Sequence, residues 1–172
     1  EALPYYARAA QLEPGNADYQ NNFGTAALRA GDLKIAEEHF RAALQDDPKF
    51  AEAYSNLGAL LYMRGQFAEA ADTYAAAVGL NPSNPGIHFN AARAFLRAQR
   101  IKDAQAQFAE ASRLRPDWPD PLAAEAWTLA TSSDAQARNG VEAVKLAEKA
   151  ADLTAHQQPA TLLTLSAAYA EN

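Results

Sequence analysis

A gapless repeat of 34 residues constrains this chain more than any other feature. The stretch 17–50, "ADYQNNFGTAALRAGDLKIAEEHFRAALQDDPKF", aligns on 51–84 and again on 85–118. Four columns keep the period: Phe23-Gly24, Leu57-Gly58 and Ala91-Ala92; Ala36, Ala70 and Ala104; Phe40, Tyr74 and Phe108; Pro14, Pro48, Pro82 and Pro116. A unit this short cannot bury its apolar face alone, so it must stack on copies of itself. Each copy reads as two helices, the first of about fourteen residues, separated by a turn at Gly31 or Gly65 and closed by Asp-Pro or Asn-Pro. Abundant alanine and few β-branched residues favour helix throughout, because alanine loses no side-chain entropy on entering one. The expected class is all-α. The small residues at Gly24, Gly58, Ala70 and Ala77 are expected where paired helices cross closely and another backbone must pass.

The pattern continues beyond the three regular copies. Residues 1–16, with Tyr6, Ala9, Leu12 and Pro14, read as the second helix of an earlier copy, and 158–172, with Leu162, Leu165 and Tyr169, as the first helix of a later one. The whole of 1–172 is therefore expected to be one array, opening and closing in mid-repeat as a piece of a longer one. Residues 119–157 form a degenerate fourth copy. Ala143 follows Ala104 by 39 residues instead of 34, and the extra length falls in "TSSDAQARNG", 131–140, where Ser133 and Asp134 favour a short helical turn and Asn139-Gly140 the next one. Glu125 stands in the column of Phe23 and Leu57. An unpaired buried carboxylate costs several kcal/mol, so this one is expected to be partly solvated or paired with an arginine.

The succession of Leu-Gly, a large apolar residue, Ala, an aromatic, Ala and Pro at this period resembles the tetratricopeptide repeat family. The resemblance implies a right-handed α-solenoid of stacked antiparallel helix pairs, a superhelix whose first helices line a concave inner face. It also implies a protein-interaction scaffold that holds a protein or peptide partner.

On that face a second periodicity appears. Asn22, Asn56 and Asn90 fall 34 apart, and their neighbours at i+3 and i+7 define a stripe on each first helix: Thr25 and Arg29; Ala59 and Met63; Arg93 and Arg97. The fourth stripe carries Ala124, Trp127 and Thr131. The asparagine row is similar to the ladder that grips a peptide main chain in O-linked N-acetylglucosamine transferases and nuclear import adaptors. An amide offers donors and an acceptor together, which matches an extended chain whatever its side chains. The alternative use of the row is to brace neighbouring helices. The expected peptide-binding set is Asn22, Asn56, Asn90, Arg29, Met63, Arg93, Arg97 and Trp127. The arginines would receive acidic groups or pair with local acids such as Asp120 and Glu125. Self-assembly through exposed array ends, and a substrate-recruiting arm of a larger enzyme such as a glycosyltransferase, are the alternative functions.

Charge and composition exclude several classes. The formal net charge of −6 argues against a nucleic-acid surface, which needs clustered Lys and Arg. No apolar run approaches the roughly 20 residues of a membrane span. With no cysteine, neither disulfides nor thiolate metal sites can form. The three histidines, His39, His88 and His156, have no partner at a ligand or triad spacing, and no phosphate loop or nucleophile elbow occurs. No catalysis, metal or cofactor is expected of these residues.

Overall fold

The computed structural model describes residues 3–135 and 137–171; Gln136, inside the 131–140 loop, lies outside the described residues. Among them run ten helices: α1 (Leu3–Leu12), α2 (Ala17–Arg29), α3 (Leu33–Asp46), α4 (Ala51–Met63), α5 (Phe67–Leu80), α6 (Pro85–Arg97), α7 (Ile101–Leu114), α8 (Pro119–Thr131), α9 (Gly140–Leu153) and α10 (Pro159–Glu171). No described helix is long and apolar enough to cross a membrane. Contacts divide the chain into two compact units, Glu1–Pro82 and Ser83–Asn172. In the first, α2 packs on α3 and α4 on α5, α1 rests against α2, and α3 meets α4. In the second, α6 packs on α7 and α8 on α9, α7 meets α8, and α10 lies against both α8 and α9.

Several helices start or stop for a visible local reason. The side chains of Asn16, Asp32, Asn84 and Asn139 accept from backbone N–H groups of the first turn of α2, α3, α6 and α9, satisfying donors that a helix leaves without partners. Pro85 and Pro119 stand at the first helical position of α6 and α8, where the missing N–H is not needed. The turn inside each regular pair reverses the chain by the same device. Asp32 N–H donates to Ala27 O, Gln66 N–H to Leu61 O and Arg100 N–H to Phe95 O, and the residue before each donor is left-handed. Gly31 (φ 85) and Gly65 (φ 75) take that conformation without strain, whereas the third turn places Gln99 there at φ 62.

The small residues of the first helix mark where an aromatic ring of the same pair docks. A Cβ built on Gly24 would stand 2.7 Å from the Phe40 ring and 3.1 Å from Ala36 O; on Gly58 it would stand 3.0 Å from the Tyr74 ring. It is therefore chiefly a ring, more than a passing backbone, that fills the room these glycines leave. Phe40, Phe108, Ala36, Ala70 and Ala104 are fully buried, and Tyr74 nearly so, so each of the three regular pairs is closed by one aromatic wedge between small neighbours.

Two of the histidines serve this packing. His39 Nδ1 donates to Gln20 Oε1 over 2.6 Å across α3 and α2, and His88 Nδ1 donates to Gln107 Oε1 over 2.6 Å across α6 and α7. Gln20 and His88 share one column of the repeat, and His39 and Gln107 another, so the two copies make the same bond with its residues exchanged. His39 also lies 4.0 Å from the Phe23 ring. In the fourth copy the added residues turn at Asp134, whose carbonyl accepts from Ala137 and Arg138 N–H. They bury Ala137 and are held by Gln105 Nε2 donating to Ala137 O and Asn139 N–H donating to Leu129 O.

Gly24→Ala sets a helix-propensity gain of about 1 kcal/mol against overpacking of about 1–3 kcal/mol. Because the Phe40 ring is enclosed, a net loss of about 1 kcal/mol is expected in urea unfolding, most of it recovered when Phe40→Leu is added. Gln99→Gly should act in the other direction, raising stability by about 1 kcal/mol through relief of the left-handed backbone. A Gln99→Gly protein that melts no higher than its parent would contradict this reading of the turn.

Candidate functional site

The residues singled out in the sequence lie on the first helix of each pair. In the unit Glu1–Pro82, Asn22 and Arg29 on α2 and Met63 on α4 are exposed, and neither Asn22 nor Arg29 has a side-chain bond among the described residues. Asn56 on α4 is half-buried. Its Nδ2 donates to Asn21 Oδ1 at 2.9 Å and to Thr25 Oγ1 at 3.4 Å, while Asn21 Nδ2 donates to Glu52 Oε1 at 3.1 Å. This chain of amides ties α4 to α2, so Asn56 braces a neighbouring helix and leaves only its Oδ1 for another partner. Asn21, at 2% exposure, was not singled out from the sequence. Its signal was helical phase: counting three and seven residues on leads to Gly24 and Leu28, on the inward stripe.

In the unit Ser83–Asn172, α6 carries Asn90, Arg93 and Arg97, and α8 carries Trp127. The half-buried Asn90 makes no side-chain hydrogen bond among the described residues. Beside it Phe89 forms an aromatic base, its ring centroid 4.8 Å from that of Trp118 and 5.9 Å from that of Phe108. The Arg93 guanidinium lies 5.9 Å from the Phe89 centroid, within cation–π range. Trp127 is 47% exposed, unusual for the largest side chain in a helical core protein.

A pocket of about 330 Å³ opens between α6, α8 and α10, walled by Phe89, Leu96, Ala124, Trp127 and Thr164 with Phe108 at its floor. Arg93 and Asp120 reach its rim. A second pocket of about 270 Å³ shares Leu96 and Trp127 but extends toward the C-terminal ends of α6 and α8, where Arg97, Thr131, Ser132 and Ser133 line it. The contribution of α10 was not legible from the stripes, because the residues it supplies, Thr161 and Thr164, read as ordinary helix positions. Their hydroxyls donate to the carbonyls of Gln158 and Ala160. Among the described residues no cluster of acidic, His or Cys side chains has the arrangement of a metal site.

Two models of the tetratricopeptide repeat match residues 21–85 and 61–128, and the chain belongs to this family. Among curated relatives it is 31% identical over 112 residues to the small glutamine-rich tetratricopeptide repeat-containing protein 2 of Mycosarcoma maydis, a match covering 65% of this chain and 32% of that protein. The chain thus spans about a third of that relative's length. Among solved structures it is similar to MamA, with a TM-score of 0.80 at 19% identity over 91% of this chain and 88% of that one. YrrB, a TPR protein with an unusual peptide-binding site, gives 0.77 at 16% identity over 97% and 92%. An O-GlcNAc transferase of Thermobaculum terrenum gives 0.65 at 23% identity over 79% of this chain and 26% of that one. These likenesses are of fold, and they establish an all-α tetratricopeptide solenoid.

Glu125 on α8 sits where the repeat calls for an apolar side chain. It is half-buried and has neither arginine nor hydrogen-bond partner among the described residues; Arg138 instead lies 3.5 Å from Glu171. Loss of solvent, with the Glu142 carboxylate adding repulsion, pushes its pKa up from the ordinary carboxylate value to about 7. The folded state therefore holds this proton more tightly than the unfolded one, so stability falls as pH rises from about 4.5 through about 7 and stays reduced above. Glu125→Gln should leave stability nearly unchanged at pH 4 and raise it at pH 8. Discounting for the water the side chain still meets, the gain is about 1–2 kcal/mol, measurable by urea unfolding across that range. Equal stabilities of the two proteins at pH 8 would show the carboxylate to be solvated or paired.

Proposed function

We propose that this domain is a non-catalytic scaffold that binds an extended peptide segment along the exposed faces of its first helices. The observation that carries the reading is the face of the second unit. There the exposed indole of Trp127 and the guanidinium of Arg93 line an open, mostly apolar pocket, Trp127 and Arg97 line the one beside it, and the Asn90 amide, without a side-chain hydrogen bond among the described residues, lies on the same helix as the two arginines. Amide and cation supply contacts to a main chain and its acidic groups, and the indole supplies apolar area at little entropic cost. The fold shared with YrrB, a TPR protein with a peptide-binding site, supports the same reading. Asn22 and Arg29 offer comparable groups on the first unit, and Met63 a flexible apolar one.

A second reading, self-association, is favoured by the exposed apolar residues on the outermost helices: Tyr5 and Leu12 on α1, Leu163 and Tyr169 on α10. Sedimentation at rising concentration separates the two. Association that persists with peptide bound and is abolished by Leu163→Ser supports assembly, whereas a constant mass with saturable peptide binding supports the scaffold.

A main-chain hydrogen bond contributes a net of about 0.5–1.5 kcal/mol, so Asn90→Ala should weaken every bound peptide about 2- to 12-fold regardless of its sequence. Arg93→Ala with Arg97→Ala should weaken acidic peptides selectively, and that loss should shrink as salt rises. Peptides selected on the intact protein and titrated by fluorescence anisotropy provide the measurement. Affinities untouched by either change would place the binding surface elsewhere.

A further inference from the structure

The fourth pair departs from the asparagine row in a way that gives the proposed groove a direction of specificity. In the columns of Asn90 and Arg93 it carries Ala124 and Trp127. A methyl group replaces the amide, and the room so left belongs to the pocket bounded by Phe89, Leu96 and the Trp127 indole. With a volume of about 330 Å³ it falls at the low end of the roughly 300–1,000 Å³ of ligand sites, so it fits one large side chain better than a cofactor. Most of its accessible wall is apolar. Its neighbour beyond Trp127, about 270 Å³, differs in kind: among the described residues its charged lining is Arg97 alone, accompanied by the side chains of Thr131, Ser132 and Ser133. Two cavities of different chemistry thus share one exposed tryptophan as their common wall.

We infer that the second unit recognises a peptide by two nearby side chains, a large apolar or aromatic one inserted between Phe89 and Trp127 and an acidic one received by Arg97 and the hydroxyls of Ser132 and Ser133. This rests on the scaffold reading above and specifies its ligand. Charge selects the second side chain, since among the described residues the pocket is lined by Arg97 and by no carboxylate. The protein's net charge of −6 sets the limit in the other direction: a long acidic run would be repelled as it approached, so the segment carries one or two acids beside its apolar anchor. Main-chain contact at Asn90, on the turn of α6 that also carries Phe89, leads the segment toward the apolar pocket.

The test is a random dodecapeptide display library selected on the intact protein. Peptides enriched in Trp, Phe or Leu with Asp or Glu one to three positions away are expected. For a synthetic peptide of that consensus, Trp127→Ala should reduce affinity at least tenfold. Arg97→Gln should reduce it several-fold, an effect that disappears when the peptide's acid is changed to its amide. Ala124→Asn, which restores the column residue and intrudes on the pocket without removing any core side chain, should weaken aromatic-anchored peptides and spare the rest. Circular dichroism confirms that each variant is folded. Selected peptides that lack the anchor, bind Trp127→Ala as well as the parent and still respond to Asn90→Ala would overturn this inference while leaving the scaffold reading intact. A library that yields no binder at all would overturn both.

Discussion

Everything in this fold depends on how closely the two helices of one repeat can approach. In the first two regular repeats the distance is set by an aromatic ring on the second helix and the absence of a side chain on the first: Phe40 fills the space above Gly24, and Tyr74 the space above Gly58. A ring buried on both sides fixes the axial position of one helix against the other, since sliding by a residue would drive the ring into a Cβ. Once each pair is rigid, its first helix presents a defined stripe of side chains. The spacing of the candidate ligand groups is then inherited from the packing.

Polar side chains inside the pairs take part in the same task. The His39–Gln20 and His88–Gln107 bonds cross the helix pair at one equivalent place with donor and acceptor residues exchanged, which shows that the repeat preserves an interaction more strictly than a residue. Each imidazole acts there as a structural donor that ties one helix of its pair to the other. Glu125 is the counterexample. It occupies an apolar column without a partner and faces Glu142, and the fold tolerates it by leaving the site half-open and the carboxyl easily protonated.

The candidate site was legible in proportion to how regular its residues are. Asn90, Arg93, Arg97 and Trp127 were singled out because helical phase and the 34-residue period put them on equivalent stripes of α6 and α8, and of these Arg93, Arg97 and Trp127 line the pockets of the second unit. Asn56 was found by the same rule, yet its amide donors turn toward Asn21 and Thr25. Gripping and bracing require the same residue at the same phase, and periodicity cannot separate them. Phe89 supplies the pocket's aromatic base, Phe108 lines it although its column marks it as core, and Thr161 and Thr164 enter from α10 with no pattern to announce them.

The sequence by itself determined the class, the helices and their ends. Those features rest on local causes: alanine's propensity, asparagine and aspartate caps, left-handed glycines at Gly31 and Gly65, prolines after the second helices, and small–aromatic columns recurring at one interval. Tertiary structure decided what each exposed or half-exposed group does. Whether an amide faces solvent or a neighbouring helix, whether Glu125 meets an arginine or another carboxylate, and whether the room at Ala124 becomes a cavity all depend on which side chains from other helices arrive at that place. Such meetings are set by helix packing over tens of residues, and no single stripe of sequence encodes both partners.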